Sequence, residues 1–104
     1  MFKRNRRPTT PGEILKEHYL EPRGVSIAKF AEAVGCSRKH MSAIVGGKAR
    51  IEAKMAARIA TVLGTTPELW LNLQNAVDVY DARQELKDWH PARVYTDLPE
   101  GAAA

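Results

Sequence analysis

Apolar residues recur every three to four positions along most of the chain, which is the spacing of one helix face. In the first such segment, Ile14, Leu15 and Tyr19 form a single stripe. The pattern predicts five helices, which run from Pro11 to Leu20, from Ser26 to Gly35, from Ser37 to Gly46, from Glu52 to Leu63 and from Thr66 to Leu86. The joints between the helices are short, so the predicted fold class is an all-α domain.

Local signals at the predicted helix ends support this assignment. Four helices begin with a serine or threonine that can cap the free N–H groups of the first turn: Thr10, Ser26, Ser37 and Thr66. Pro11 and Pro67 follow two of these caps, at the position where proline suits a helix start. Gly35 and Gly64 stand where two helices end, because glycine readily adopts the left-handed conformation of a C-terminal turn.

The helices divide the chain into three parts. Residues 10–86 form the predicted helical domain, between a basic arm at residues 1–9 and a tail at residues 87–104. The apolar face of helix 5 is broad for one small core. It therefore predicts a homodimer interface at Leu71, Leu73, Val77 and Tyr80. Residues 93–96 have strand propensity and predict a short strand that pairs across the dimer axis.

Length and composition narrow the class of protein. The 104 residues suit one domain. Cys36 is the only cysteine, which excludes a disulfide framework and a zinc site built on paired cysteines, so we expect a cytoplasmic protein. No apolar run reaches the roughly 20 residues of a membrane span, so no membrane partner is expected. The sequence has no nucleophile–base set, phosphate loop or metal cluster, and it predicts neither an enzyme, a cofactor nor a small-molecule substrate.

Charge is distributed unevenly along the chain. Residues 1–58 hold 13 basic and 5 acidic side chains, whereas residues 59–104 hold 3 basic and 7 acidic side chains. A basic front half and an acidic back half suggest two different partners, and nucleic acid is the first candidate for the basic half. Many soluble proteins are basic without binding nucleic acid, so charge alone does not decide between these readings.

Helices 2 and 3 are joined only by Gly35 and Cys36. So short a joint makes two helices cross steeply, as in a helix-turn-helix. Ala31 is small where helix 3 must cross closely, and Met41 and Ile44 are apolar where the unit must be buried. The first turn of helix 3 is polar and basic, which is typical of a recognition helix. The alternative is a pair of packed helices with a solvated basic face.

Several side chains on and beside helix 3 suit contacts with operator DNA. Base edges in the major groove would be read by Ser37, Arg38, Lys39, Ser42 and Ala43. Arg38 can donate two hydrogen bonds to guanine, and Ala43 offers a methyl group to thymine. Phosphates would be held by Ser26, Lys29, Lys48 and Arg50.

The helix-turn-helix resembles that of the large repressor family related to the phage lambda and 434 repressors. Two flanking segments, PGEILKEHYLEPRGVS at 11–26 and GTTPELWLNLQNAVDVYDAR at 64–83, are similar to the HigA antitoxins of bacterial toxin–antitoxin modules. The resemblance covers residues 10–86 and implies a homodimer that represses its own operon by binding a palindromic operator. It also implies a protein partner, a basic RelE-like HigB toxin that cleaves mRNA on the ribosome and that the antitoxin neutralises.

Two positions depart from the pattern of these repressors. Ile27 stands where relatives often carry glutamine, and Glu52 stands where helix 4 usually opens with serine or threonine. Both residues lie where phosphate contacts are made in such proteins, so the departures bear on those contacts rather than on the fold.

Two acidic surfaces compete as the contact for the implied toxin. Glu13 and Glu17 lie one turn apart on helix 1, and a solvated helix face is the plain alternative for them. The second surface comprises Asp78, Asp81, Glu85 and Asp88. The short tail predicts that the folded domain, rather than an extended wrapping segment, neutralises the toxin. The alternative function is a stand-alone helix-turn-helix repressor without a toxin partner.

Overall fold

The computed structural model describes residues 6–97, and these residues form five helical elements. The elements are α1 (Pro11–Ile14), which continues directly as a π-helix over Leu15–Leu20, α2 (Ile27–Val34), α3 (Arg38–Val45), α4 (Ala53–Leu63) and α5 (Pro67–Glu85). The all-α, five-helix prediction is therefore confirmed. Each helix end lies within about two residues of its predicted position, although the π-helical geometry at the end of the first helix was not predicted.

The predicted N-caps are present as hydrogen bonds. The hydroxyl groups of Thr10, Ser26, Ser37 and Thr66 each accept the backbone N–H three residues later, at 3.2, 3.1, 3.0 and 3.3 Å. Each bond satisfies one of the donors that the first turn of a helix leaves free. Glu52 precedes α4 without a side-chain capping bond, as expected where the serine or threonine of the related repressors is replaced.

The core joins all five helical elements. Its largest fully buried side chains come from every helix and from the connection before α4: Trp70, Phe30, Leu15, Met41, Ile44, Ile51 and Ile59. The indole N–H of Trp70 donates to the hydroxyl oxygen of Thr65 at 2.8 Å, and its ring meets that of Tyr19 edge-on with centroids 5.3 Å apart. The first half of α5 is thus part of this chain's own core and is held in a fixed position beside α1.

The joint between α2 and α3 has the geometry of a helix-turn-helix. Gly35 has φ 81°, a conformation that L side chains rarely adopt. The N–H groups of Gly35 and Cys36 both donate to the carbonyl oxygen of Ala31, at 2.9 and 3.0 Å. Ala31 is itself buried where α2 and α3 meet. As predicted, the short joint of Gly35 and Cys36 turns the chain between the two helices, and the small side chain of Ala31 lets them cross closely.

The strand predicted in the tail is not formed within the single chain. Residues 93–96 are irregular, and within residues 6–97 the structure has no strand. Val94 and Tyr95 are exposed, at 63% and 77%. A strand is stabilised by ladder hydrogen bonds to a neighbouring strand, and a single chain offers none here. Pairing across a dimer axis remains a prediction.

The basic arm predicted at residues 1–9 and the end of the tail are only partly described. Residues 1–5 and 98–104 lie outside the described part of the chain. Within the described part, no helix is long and apolar enough to cross a membrane.

Candidate nucleic-acid interface

α3 has one buried face and one polar face. Met41 and Ile44 are buried, and they anchor the helix on α1 and α2. The residues predicted to read bases lie on the remaining surface. Ser37, Arg38, Lys39 and Ser42 are exposed, and Ala43 is half-buried. The structure thus brings all five residues to the first two turns of a single helix, on a rigid support.

The exposed groups supply both donors and acceptors for base edges. Arg38 carries a forked guanidinium that matches the O6 and N7 atoms of guanine, while Lys39 presents a point charge. The Ser37 hydroxyl already accepts the N–H of His40 at 3.0 Å, but its proton remains available to donate. The first turn of α3 can therefore donate several hydrogen bonds at one end of the helix, which is the end that meets the bases in such domains.

All four predicted phosphate contacts are exposed, and three of them flank the helix pair of α2 and α3. Ser26 and Lys29 lie at the start of α2, and Lys48 follows α3. The Ser26 hydroxyl accepts the N–H of Lys29 at 3.1 Å, so it caps α2 and keeps a proton to donate. These groups occupy the ends of the helix pair, where phosphate contacts would set the position of α3 in a groove.

Arg50, the fourth predicted phosphate contact, has its guanidinium paired with carboxylates of the same chain. Its Nη1 atom donates to Oδ1 of Asp78 at 3.0 Å, a second bond joins Nη2 to Oδ2, and its Nε lies 3.3 Å from Oε2 of Glu52. The hydrogen bond from Arg50 is the main cause that lowers the pKa of the Asp78 carboxyl. Two carboxylates of the same chain thus compensate the charge of this guanidinium.

Gln74 was missed in the sequence analysis. It is buried on α5, where its Oε1 accepts the N–H of Ile51 at 2.8 Å and its Nε2 donates to Asp78 at 3.1 Å. With Arg50, these bonds tie the connection between α3 and α4 to α5. The available signal was a polar residue within the apolar stripe of helix 5, because a buried amide in such a place needs partners.

A second carboxylate of α5 binds the N-terminal arm. The guanidinium of Arg7 donates twice to the carboxylate of Asp81, with both distances 2.9 Å, and these bonds lower the pKa of Asp81. By contrast, the basic residues beside the helix-turn-helix have no ion-pair partner within residues 6–97; they are Lys29, Arg38, Lys39 and Lys48. Uncompensated positive charge therefore lies on the side of α2 and α3.

The residues predicted for the dimer interface mostly face this chain's own core. Val77 is only 3% exposed, and Leu71 and Leu73 are half-buried against the core. The prediction for Val77 is wrong because this side chain is buried within one chain, where α5 packs mainly against α4 and also against α1. Tyr80 is half-buried. The exposed apolar side chains of this region are instead Val79 and Leu86, at 40% and 51%.

The two acidic surfaces differ in how many of their carboxylates are already paired with arginines. Glu13 and Glu17 are exposed on the first helix and have no ion-pair partner within the described residues. In the competing set, Asp78 and Asp81 are bound to arginines, whereas Glu85 and Asp88 are exposed and have no ion-pair partner within residues 6–97.

The fold and this surface define a helix-turn-helix protein with a basic recognition-type helix. In agreement with this, a family model described as a helix-turn-helix domain matches residues 4–73.

Three relatives make the class more specific. The antitoxin HigA-1 of Vibrio cholerae serotype O1 is 42% identical over 88 residues, which are 85% of this chain and 83% of that protein. The chain belongs to the HigA family of helix-turn-helix antitoxins. Among solved structures, the antitoxin GraA in complex with its operator superposes with a TM-score of 0.76 at 36% identity, covering 91% of this chain and 100% of that chain. The Pseudomonas aeruginosa antitoxin HigA with the higBA promoter superposes with a TM-score of 0.79 at 29% identity, covering 88% of this chain and 100% of that chain.

Proposed function

We propose that this protein is an antitoxin that represses its own operon by binding operator DNA as a homodimer and that neutralises a HigB-like toxin by direct contact. The observation that carries the DNA-binding part is the exposed first turn of α3, where Arg38 and Lys39 project from a helix fixed by a buried opposite face. This arrangement supplies sequence-reading donors on a rigid element. Two relatives solved with operator or promoter DNA support it.

In this proposal, α3 enters the major groove and reads bases with Ser37, Arg38, Lys39, Ser42 and Ala43. Phosphate contacts by Ser26, Lys29 and Lys48 set its depth and orientation. Arg50 serves instead to fix the connection that carries Lys48. A homodimer would place two copies of α3 about 34 Å apart, or a multiple of that distance, on a palindromic operator.

The experiment that tests DNA reading compares Arg38→Ala with wild type on the protein's own promoter. We expect Arg38→Ala to lose about 1–3 kcal/mol of binding free energy and to relax base preference at one position of each half-site. Lys48→Ala should weaken binding to all sequences similarly and reduce the slope of log K against log salt by about one unit. Arg83→Ala, which removes an exposed cation of α5, is the matched control. Unchanged affinity and base preference in Arg38→Ala would exclude α3 as the reading helix.

The dimer interface that we propose uses the outward side of α5 and the start of the tail. Val79 and Leu86 lie seven residues apart on one side of the helix, and Trp89 follows them with 59% of its surface exposed. A second copy would remove these apolar groups from water. Residues 93–96 lie just beyond them, where a strand could pair across the same axis.

For the toxin, we propose contact through Glu13 and Glu17. Their carboxylates are exposed and lack ion-pair partners within residues 6–97, so they are available to pair with a basic protein. The α5 carboxylates Asp78 and Asp81 are poorer candidates because arginines of the same chain already neutralise them. Both proposed partners act in the cytoplasm, and we propose the same location for this protein. Operator binding without capture of a toxin would instead indicate a stand-alone repressor.

A further inference from the structure

The N-terminal arm and the C-terminal part of α5 carry opposite charges. The arm has no acidic residue, and its basic residues are Lys3 and Arg4, which precede the described residues, and Arg6 and Arg7. On α5 and the turn after it, three carboxylates follow one another at spacings of four and three residues. They belong to Asp81, Glu85 and Asp88. Such spacings place side chains on one face of a helix, and we call this set the acidic stripe.

One contact between the arm and the acidic stripe is formed in the structure. The guanidinium of Arg7 donates to both carboxylate oxygens of Asp81, with both distances 2.9 Å. These bonds join residues 74 positions apart in the sequence, so they fix the arm at one end of the stripe. The residues that precede Arg7 therefore leave from beside Asp81, one helical turn before Glu85.

The rest of the acidic stripe has no cation bound to it. Within the described residues, no ion pair involves Glu85, Asp88 or Arg6, and all three side chains are exposed. Arg83 and Lys87 each lie two residues from Glu85, a spacing at which side chains on a helix do not face each other. Because carboxylates one turn apart repel each other, cations that lie along the stripe lower the electrostatic free energy of the chain.

The arm is long enough to follow the stripe. An extended chain advances by up to about 3.5 Å per residue, so Arg4 lies up to about 10 Å beyond Arg7. Along α5 the rise is about 1.5 Å per residue, which puts Glu85 about 6 Å and Asp88 about 10 Å beyond Asp81. The cations of the arm thus match the carboxylates of the stripe in reach as well as in sign.

We propose that residues 3–6 dock in an extended conformation along the acidic stripe of the same chain, with the pair of Arg7 and Asp81 as the fixed end of this intramolecular strap. Solvent-exposed ion pairs are individually weak, so docking depends on the stripe as a whole rather than on any one carboxylate. The strap neutralises the free acids of α5 and leaves Glu13 and Glu17 of the first helix open to a basic protein. In this consequence the inference rests on the proposed function, whereas the docking itself does not depend on it.

Disulfide trapping in the full chain tests the docking. In a Cys36→Ala background, Asn5→Cys/Gln84→Cys places one thiol in the arm and one beside the stripe without removing a charge. An intrachain disulfide should form in a glutathione redox buffer about tenfold faster than in the control Asn5→Cys/Asn72→Cys, because the docked arm raises the local concentration of its thiol. Asn72 is exposed on α5 and lies nine residues before Asp81, on the opposite side of the helix.

The deciding comparison removes charge from the stripe. Glu85→Gln/Asp88→Gln should slow trapping at position 84 about fivefold, the effect of two exposed ion pairs. Loss of neighbouring carboxylates by itself makes the thiolate at position 84 form more easily, so slower trapping reports the loss of docking. Glu13→Gln/Glu17→Gln removes as many carboxylates from the first helix and should leave the rate unchanged.

Two results would overturn the strap. One is an unchanged trapping rate in Glu85→Gln/Asp88→Gln, and the other is a disulfide that forms mainly between two chains. Capture of a HigB-like toxin, measured separately on wild type, distinguishes this inference from the proposed function. Charge-dependent trapping without toxin capture would support the strap and contradict the proposed function.

Discussion

Gly12 in the first turn of α1 lies directly against the carbonyl oxygen of Ile44 near the C-terminal end of α3. A Cβ atom at position 12 would overlap that oxygen and come within 2.9 Å of the Cα atom of Val45. The obstacle is backbone, which cannot rotate away as a flexible side chain can. The absence of a side chain at Gly12 thus sets how closely the first helix approaches the proposed recognition helix.

We therefore expect Gly12→Ala to be strongly destabilising. Overpacking against a rigid backbone should cost about 3 kcal/mol or more of unfolding free energy, at the upper end of the usual range. Chemical denaturation followed by circular dichroism would measure it. Gly24→Ala is the control, since a Cβ there meets nothing within 4 Å and the cost comes only from its φ of +65°, at about 1–2 kcal/mol. Equal losses in the two variants would contradict the close approach of α1 and α3.

The contrast between short-range and long-range features explains which parts of this structure the sequence could predict. A cap such as Ser37 depends on a hydroxyl and an N–H only three residues apart, and all four serine and threonine caps were predicted correctly. The pairs Arg7–Asp81 and Arg50–Asp78 join residues 74 and 28 positions apart. Their formation depends on where α5 packs, which a local pattern does not specify.

Local sequence patterns are limited in the same way for the proposed DNA-binding surface and dimer interface. The exposed face of α3 followed from helical periodicity, because the apolar positions Met41 and Ile44 fixed which side is buried. Periodicity also identified the apolar stripe of α5, but it could not tell whether that stripe meets its own chain or a second copy. Val77 was therefore assigned to an interface although it belongs to the core.

The arginine–carboxylate pairs predict how stability changes in acid. Hydrogen bonds from Arg50 and Arg7 hold the pKa of Asp78 and of Asp81 below their ordinary value of 3.8. A carboxyl whose pKa is lower in the folded state stabilises that state above the unfolded pKa, and the effect is lost as the pH falls through the folded pKa. We expect the melting temperature to fall more steeply below about pH 4 in wild type than in Asp78→Asn or Asp81→Asn. Glu85→Gln, which removes an exposed carboxylate of the same helix, should retain the wild-type acid profile; a flattened profile in this control would refute the assignment.

The exposed side of α5 predicts the effect of charge on dimerisation. Val79→Asp should shift sedimentation equilibrium towards monomers, because the dimer would have to bury an unpaired carboxylate. Val62→Asp is a matched control, since Val62 on α4 is also a valine with 40% exposure, and it should leave the dimer intact. Val77→Asp should unfold the chain rather than dissociate it. A dimer that survives Val79→Asp with unchanged affinity would place the interface elsewhere.

The unpaired acids of the first helix predict the outcome of toxin capture. Co-expression with a HigB-like toxin should give a complex that Glu13→Lys/Glu17→Lys fails to form, because the reversed charges repel a basic partner. Glu13 lies in the first turn of α1, where a cation also opposes the helix dipole, so a stability loss of about 0.3–1 kcal/mol is expected. Operator binding by the same variant, measured in parallel, would show that the domain is still folded. Glu68→Lys/Glu85→Lys, which reverses two exposed charges on α5, should still capture the toxin.

Deletion of residues 98–104 should also leave capture and growth rescue unchanged, because the folded domain rather than a wrapping segment makes the contact. Loss of rescue on that deletion alone would instead assign neutralisation to the tail.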